Sequence, residues 1–383
     1  MTARFAGAFA RNFLRADGHR TATANERVIL TILSKQGAAS RADLARATAL
    51  APHSIGRLIE PLIDRGLIVE GIPEVAGRGK PSIKLRLVPD AAFSVGLSVM
   101  TDAVTLVLMD LSGAVRASAS AALEQIAIAP AAEQIAGMIA EATDRAGFDQ
   151  ARRVGIGVGV TGYFIGDGAR LNPPEQLDPW ALIPLDTLLA ERLGGPLWVD
   201  NDGNVAAVGE AMLGAGRSVS DFAYLYFAAG FGGGVVAGGV PLRGVHGNAG
   251  EFASILPASW PSPNLENLRH YLAERGQHFA DLHAMLRDFD PAASVIDDWL
   301  ELCGPALDLV ASAISATLDP DLIVLGGRLP PALALRIAER MRFTNPERRA
   351  HRRPVPRIVP SKIGSDAAAI GAAMLPMRAA FFS

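Results

Sequence analysis

The sequence predicts an α/β protein in two parts, a small and mostly helical N-terminal domain followed by a larger body of two α/β lobes. Three observations predict it. Residues 1–90 are basic and the rest acidic, with 14 Lys+Arg against 8 Asp+Glu before 22 against 31. Residues 25–88 carry three short helical patterns and then an alternating strand. The body runs twice through the same order of strands, long helix and buried strand.

Composition narrows the field. Of 383 residues, 50% are apolar and 20% charged, which excludes a disordered chain. No uninterrupted apolar run reaches the 18 or so residues of a membrane span. The opening segment MTARFAGAFARNFLRADGHR spreads arginines where a secretory signal has an apolar block. The single cysteine, Cys303, excludes a disulfide framework and any multi-cysteine zinc site, so a reducing cytoplasm is expected. A basic head on an acidic body suits a polyanion-binding domain, although chance variation in surface charge gives the same balance.

In NERVILTILSK, residues 25–35, the helical spacing groups Val28, Ile29, Ile32 and Leu33 on one face, and Gly37 stops the helix. Ser40 and Asp43 form a capping-box pattern that opens a second short helix. Pro52 suits the first turn of a third, which turns Ile55, Leu58, Ile59, Leu62 and Ile63 inward and ends at Gly66. Pro61 within it removes a hydrogen bond and bends its late turns. LIVEG, a loop holding Gly77 to Pro81 and the strand SIKLRLV complete a two-stranded hairpin. This order is that of a winged helix-turn-helix, whose third helix enters the major groove. It assigns His53, Ser54 and Arg57 to base edges, with Arg57 placed for bidentate contact to guanine. Ser40 and Arg41 fall where phosphates pass, and Arg78 and Lys80 on the wing tip. A helical interaction module with a solvated basic face would share these features.

Pro89 marks the boundary, giving an arm at 1–24, a winged helix at 25–89 and a body at 90–383. FSVGLSV, VTLVLMD and GAVRASAS read as antiparallel strands, followed by a helix over about 131–147 and the buried strand RVGIGVGV. AYLYFAAG, GGVVAGG and VPLRG, a helix over 294–317 and DLIVLGG repeat that order. Two such halves facing across a cleft form a two-lobed, actin-like architecture.

Trp198 to Asn204, WVDNDGN, ends a strand and opens a helix, where α/β sheets bind ligands. Asn201 and Asp202 can bracket adjacent hydroxyls, and Asp202 can accept a proton from one. Equally, they can simply cap the helix. GFGGG, from Gly230 to Gly234, reads as a glycine-rich turn able to present amides to phosphate, or as a plain hairpin. In GNAGE, 247–251, flanking glycines allow close approach and Glu251 can accept hydroxyl hydrogen bonds, or can face water. Gly326-Gly327 has the geometry of a nucleotide-edge turn, and Gly364-Ser365-Asp366 reads as a helix cap. The arginine-rich segment 342–357 reads as a solvated connection, and Cys303 as a packed thiol.

Together these segments resemble the ROK family of bacterial repressors, open reading frames and sugar kinases. VDNDGNVAAVGE (199–210) is similar to its catalytic-aspartate segment, GFGGGVV (230–236) to its second phosphate loop and GNAGEF (247–252) to its sugar loop. DLIVLGG (321–327) and GSDAAAIGAA (364–373) match later elements on the nucleotide side. The N-terminal part resembles the winged helix of the family's transcription factors, which its free-standing kinases lack. The resemblance implies sugar contacts for Asn201, Asp202 and Glu251, a further one for Glu266, and the kinase general-base position for Asp202. It also exposes departures. The kinases' Asp-x-Gly-Gly-Thr phosphate loop corresponds to Ser98-Val99-Met100-Thr101-Asp102. Bulky Met100 and negative Asp102 oppose phosphate there. Ser254 replaces a histidine that binds zinc, and contacts sugar, in relatives.

The expectation is a DNA-binding repressor that binds a pseudo-palindromic operator as a homodimer or dimer of dimers. A sugar or sugar phosphate would control it, without zinc or ATP/Mg and without enzymatic activity. The alternative is a sugar kinase carrying a DNA-binding domain.

Overall fold

The computed structural model describes residues 22–72, 83–123, 125–166, 168–347 and 349–383. Three helices build the N-terminal domain: α1 (Ala24–Gln36), α2 (Arg41–Thr48) and α3 (Pro52–Asp64). A capping box of Thr23 and Glu26 opens α1, and Gly37 closes it at φ 75°. The helix buries Ile29, Leu30 and Leu33, whereas Val28 is exposed and Leu30 takes the inward place expected for it. The cause is the direction of the core, which lies on the 29–30–33 stripe against α2 and α3. The expected Ser40–Asp43 box opens α2, and α3 starts at Pro52 and runs through Pro61. Its inner face is Ile55, Ile59 and Leu62.

The sheet of this domain has three strands where two were expected: β1 (Ala39–Ser40), β2 (Ile68–Glu70) and β3 (Lys84–Leu87), in the order β1-β3-β2. The short linker before α2 is extended enough to pair with Leu85 and Lys84, a pairing no two-residue segment signals locally. The wing tip with Arg78 and Lys80, and the arm up to residue 21, lie outside the described residues.

Lobe I contains β4 (Phe93–Val99), β5 (Ala103–Asp110), β6 (Val115–Ala122), α4 (Ile128–Ala146), β7 (Arg153–Val160), the small hairpin β8 (Tyr163–Phe164) and β9 (Leu171–Asn172), α5 (Leu185–Leu193) and β10 (Leu197–Asn201). Its sheet order is β10-β7-β4-β5-β6. Then follows α6 (Asp202–Leu213). Lobe II contains β11 (Phe222–Phe227), β12 (Phe231–Ala237), β13 (Val240–Leu242), α7 (Leu265–Ala273), α8 (Leu282–Asp288), α9 (Ser294–Thr317), β14 (Leu322–Gly327), α10 (Pro331–Arg340) and β15 (Arg357–Pro360). Its sheet order, β13-β12-β11-β14-β15, repeats that of lobe I strand for strand. In each sheet three strands run antiparallel and two more join parallel to the first.

A final helix, α11 (Ala367–Ala380), crosses α6 between the two sheets. The crossing needs glycine. A Cβ on Gly371 would sit 1.6 Å from the Val205 carbonyl oxygen. Cβ atoms on Gly96 and Gly157 of the lobe I sheet would sit 1.9 Å from carbonyls of α11. Backbone therefore lies directly on backbone, and α6 and α11 form one rigid spine.

The N-terminal domain is seated on the far end of that spine. The Ala22 amide donates to the Ala380 carbonyl at 2.9 Å, and the Ser383 amide to the Thr31 hydroxyl at 2.9 Å. Arg27 donates to the Ala379 carbonyl. Ile29, Leu30 and Leu33 share one apolar cluster with Met374, Met377 and Phe381.

The helix α9 is long and apolar enough on length and composition to cross a membrane. Its Ile296, Trp299, Cys303, Leu307, Val310 and Ile314 instead form the lobe II core. Burial pushes the Cys303 thiol up to about 12, as expected of a packed residue.

Candidate functional site: a cleft between the lobes

Strand β10 delivers Asn201 to the edge of its sheet, paired with Val160 at the end of β7. The next residue, Asp202, opens α6. Capping and ligand-facing roles coexist here. The Asn201 Oδ1 accepts from the Asn204 amide at 3.1 Å, which caps α6. Its Nδ2 donates to the Gly162 carbonyl at 2.8 Å and reaches Glu251 Oε1 at 3.4 Å. Asp202 Oδ1 accepts from the Gly203 amide at 2.8 Å, and Oδ2 from the Thr161 hydroxyl at 2.7 Å. Burial raises the Asp202 carboxyl above the ordinary carboxylate range, and the Thr161 hydrogen bond pulls it back. Burial, with negative Asp202 close by, pushes Glu251 up to about 7.

Asn201, Asp202 and Glu251 line one cavity of about 280 Å³, together with Thr161, Tyr163 and Asn172 of lobe I and Tyr226, Phe231 and Gly232 of lobe II. Its floor depends on glycine packing. Gly250 has φ 107°, and a Cβ there would lie 2.6 Å from the Gly233 carbonyl oxygen. Gly203, at the start of α6, touches the same Gly233. Glu251 reaches the cleft because three glycines let a loop, a strand and a helix end meet without side chains.

This corrects the reading of Gly230 to Gly234 as a turn. The turn is residues 228–230, and β12 begins at Phe231. Gly233 and Gly234 are strand residues packed on α6, and a Cβ on Gly234 would lie 2.7 Å from the Gly203 carbonyl. Gly230 and Gly232 line the open cavity.

Sequence reasoning missed the supports behind this site. Asp200 is buried, accepts from the Asn201 amide at 2.8 Å and pairs with Arg243 at 2.9 Å. Asn248 clasps Phe164, taking its amide at 2.7 Å and giving to its carbonyl at 3.0 Å. Asn204 donates to the Gly247 carbonyl at 3.1 Å. These bonds hold the 243–251 loop on lobe I, and partners 43 and 84 residues apart leave no local trace. Thr161 had a signal, since it follows the end of a buried strand just as Asp202 does.

Glu266 lies apart from this group. Its carboxylate accepts from Arg269 and sits 3.2 Å from His270 Nε2, on the first turn of α7, and it does not line the cavity. Ser254 donates its hydroxyl to the Glu251 carbonyl at 2.7 Å. A hydroxyl turned onto a backbone carbonyl, with Cys303 packed inside lobe II, does not fit the zinc site that the family resemblance implies.

The β4–β5 turn does not fit a nucleotide phosphate either. Ser98 and Met100 are buried, and the Met100 amide is spent on the Ala103 carbonyl at 2.9 Å. Asp102 takes two hydrogen bonds from Arg328 Nη1, at 2.7 and 2.9 Å. Arg328 follows β14, so this pair joins lobe I to lobe II with only 9% and 17% of the two side chains exposed.

On the N-terminal domain, His53 and Arg57 are exposed and Ser54 half-buried on the first turns of α3. Ser40 and Arg41 differ from the expected phosphate contacts. The Ser40 hydroxyl is spent in its cap, and Arg41 pairs with Glu60 at 3.0 Å and with Glu70. Capping and ion pairing inside the domain already use both groups.

The sequence profile of the ROK family matches residues 95–263. An uncharacterized protein, y4fQ, of Sinorhizobium fredii is 30% identical over 363 residues, 94% of this chain and 92% of its own.

The chain belongs to the ROK family.

This ROK protein is also similar to the xylose repressor of Bacillus subtilis, 25% identical over 60% of this chain and 59% of that one. A crystal structure of a ROK family transcriptional regulator, a homologue of the E. coli MLC protein, superposes with TM-score 0.64 at 21% identity. It covers 93% of this chain and 96% of its own. A ROK family glucokinase from Streptomyces griseus, in complex with glucose and AMPPNP, gives 0.61 at 21% identity over 74% and 99%. Regulators and sugar kinases thus share this fold, and the glucokinase match leaves about a quarter of the chain uncovered.

Proposed function

We propose that this ROK protein is a sequence-specific DNA-binding regulator whose cleft takes a sugar or sugar phosphate as effector. One observation carries the reading: the domain that exposes His53 and Arg57 on α3 is seated on the end of α11, and α11 crosses the helix that starts at Asp202. An effector touching Asn201, Asp202 and Glu251 bears on α6, and the spine carries any lobe movement to the DNA-binding surface. Control requires a ligand that binds the DNA-competent and incompetent arrangements unequally, and lobe closure supplies two arrangements. The similarity to xylose repressors supports this reading. In it the protein binds a pseudo-palindromic operator as a dimer, since two half-sites match a two-fold protein, and works in the cytoplasm.

The misfit at the β4–β5 turn supports a domain that works without ATP/Mg, and the one at Ser254 supports a domain without zinc. Phosphoryl transfer depends on positioned phosphates and neutralised charge, and Asp102 sits with Arg328 where that loop would be.

The test is fluorescence anisotropy of the full chain on DNA from upstream of its own gene, against scrambled DNA at fixed salt, with and without a sugar panel. Specific binding altered by one sugar is expected. Specific binding that no sugar alters removes the effector half of the proposal. Equal binding to scrambled DNA removes the DNA half. Arg57→Ala is expected to cost about 1–3 kcal/mol of operator affinity and to relax sequence preference. Unchanged affinity would displace α3 from the groove.

A sugar kinase is the second reading, and the Asp202 geometry favours it. A buried carboxyl raised above its ordinary range and hydrogen-bonded to Thr161 is suited to take a hydroxyl proton. The bifunctional NanE/NanK enzyme of Brucella suis, 32% identical over 61% of this chain and 44% of its own length, adds to it. Turnover of MgATP with a sugar, abolished by Asp202→Asn, would establish that reading.

A further inference from the structure

One buried acid takes no part in the cleft. Glu210 stands near the end of α6 and is fully buried. Its partners are neutral donors. One carboxylate oxygen accepts from the Ala215 amide at 2.7 Å and from the Lys362 amide at 3.1 Å. The other accepts from the Ser361 hydroxyl at 2.8 Å. A charge enclosed in this way holds its donors firmly, because no water replaces them. A leucine would fill similar space without the desolvation a carboxylate suffers, so packing alone does not account for Glu210.

The donors on Glu210 lead in two directions. Ser361 also hydrogen-bonds the hydroxyl of buried Tyr224 on β11, and that hydroxyl accepts from the Gly327 amide at 2.8 Å. Gly327 ends β14, and the next residue, Arg328, makes the interlobe pair with Asp102. On the other side, Ala215 opens the short turn Ala215–Ser218, whose Arg217 donates to the Lys35 carbonyl at 3.2 Å on the last turn of α1. Hydrogen bonds and short covalent steps therefore run from the interlobe pair to the N-terminal domain. Glycine makes room at both bends. A Cβ on Gly326 would lie 2.0 Å from the Tyr224 hydroxyl oxygen, and one on Gly214 would lie 2.2 Å from Glu210 Oε1.

We propose that Glu210, with Ser361 and Tyr224, couples the Asp102–Arg328 pair to the seat of the N-terminal domain. Glu210 acts as a positioning residue. When the lobes shift at Arg328, the Gly327 amide shifts with it, and the buried bonds pass the displacement to Ala215 and Arg217 because none of them can trade its partner for water. This route starts at the β4–β5 turn and bypasses the crossing of α6 and α11. It rests on the regulator reading for what the seat controls, and it names the residues through which the lobe arrangement reaches that seat.

Hydrogen–deuterium exchange of the full chain tests it. Asp102→Asn keeps the shape of the side chain and loosens its hold on Arg328. It is expected to speed exchange at least about threefold over residues 214–219 and 33–40, far from the substitution. In a Glu210→Gln background the same substitution should leave both segments as they were, while still loosening residues 326–328. Tyr224→Phe removes a single hydroxyl and keeps the ring, so it repeats the test if Glu210→Gln impairs folding. A Glu210 that only stabilises its surroundings gives additive effects in the two backgrounds, which overturns the proposal. Exchange over 33–40 that Asp102→Asn leaves unchanged in the otherwise native chain overturns it as well. Neither DNA nor sugar enters the experiment, so its failure leaves the operator test of the regulator reading standing.

Discussion

The two ends of the interlobe cleft are built on opposite plans. At one end, Asn201, Asp202 and Glu251 converge on a cavity beside the close packing of Gly203, Gly233 and Gly250. Each acid there has a neutral donor beside it, Thr161 for Asp202 and Asn201 for Glu251. The other end is the β4–β5 turn, where Ser98 and Met100 are buried. Asp102 and Arg328 close it with a two-pronged ion pair between the lobes. The difference teaches that the two halves of an actin-like cleft are separable. A polar constellation can stand at one end beside an ion pair that joins the lobes at the other.

The comparison breaks most visibly at Gly250. Gly250→Ala forces a Cβ to 2.6 Å from a carbonyl oxygen at φ 107°, and is expected to cost about 3 kcal/mol in urea unfolding. It should also remove effector binding, because Glu251 leaves the cleft with its loop. A neutral result would mean that the glycine packing does not hold Glu251 in the cleft.

At the closed end the expected effect is smaller. Asp102→Ala leaves Arg328 largely buried and unpaired, at a cost of about 2 kcal/mol, below the range of a fully enclosed pair because the side chains retain some exposure. Adding Arg328→Leu should recover part of that loss, and a double-mutant cycle reads the coupling directly. Additive losses would show that the ion pair does not hold the lobes.

The smallest effect sharpens the electrostatics of the open end. Glu251 titrates near 7 in the folded chain against an ordinary 4.5, so the folded state binds more protons across that window. Its stabilising contribution is therefore complete below about pH 4.5 and is lost as the pH rises through 7. Glu251→Gln should remove this slope, about 1–2 kcal/mol after solvent screening of a partly open site. Equal slopes in the two proteins, from unfolding curves at pH 5 and 8, would exclude Glu251 as its source.

Local signals were strong where structure is made locally. The capping box at Ser40 and Asp43, Pro52 opening α3 and the span of α9 were legible because neighbouring residues satisfy neighbouring backbone groups. The strand end at Asn201 and Asp202 and the glycine-flanked Glu251 were visible as local patterns that suited a helix cap or a solvent-facing loop equally, and the family resemblance grouped them. Other features were not. Val28 faces outward because the direction of the core chooses between two equally apolar helical stripes. Gly233 and Gly234 belong to a strand because β12 lies against α6, and a glycine run by itself suits a turn or a close contact alike.

The sequence by itself determined the twofold pattern of strands and helices, the basic head and the bulk and charge of Met100 and Asp102 in the β4–β5 turn. Each follows from periodicity, charge or side-chain volume within a short window. Only the tertiary structure decided that Asp102 meets Arg328, that Asp200 pairs with Arg243, and that the N-terminal domain rides on α11. Those contacts join residues far apart in the chain. They exist because packing two sheets around one helical spine brings particular strand ends together, and no local rule carries that information.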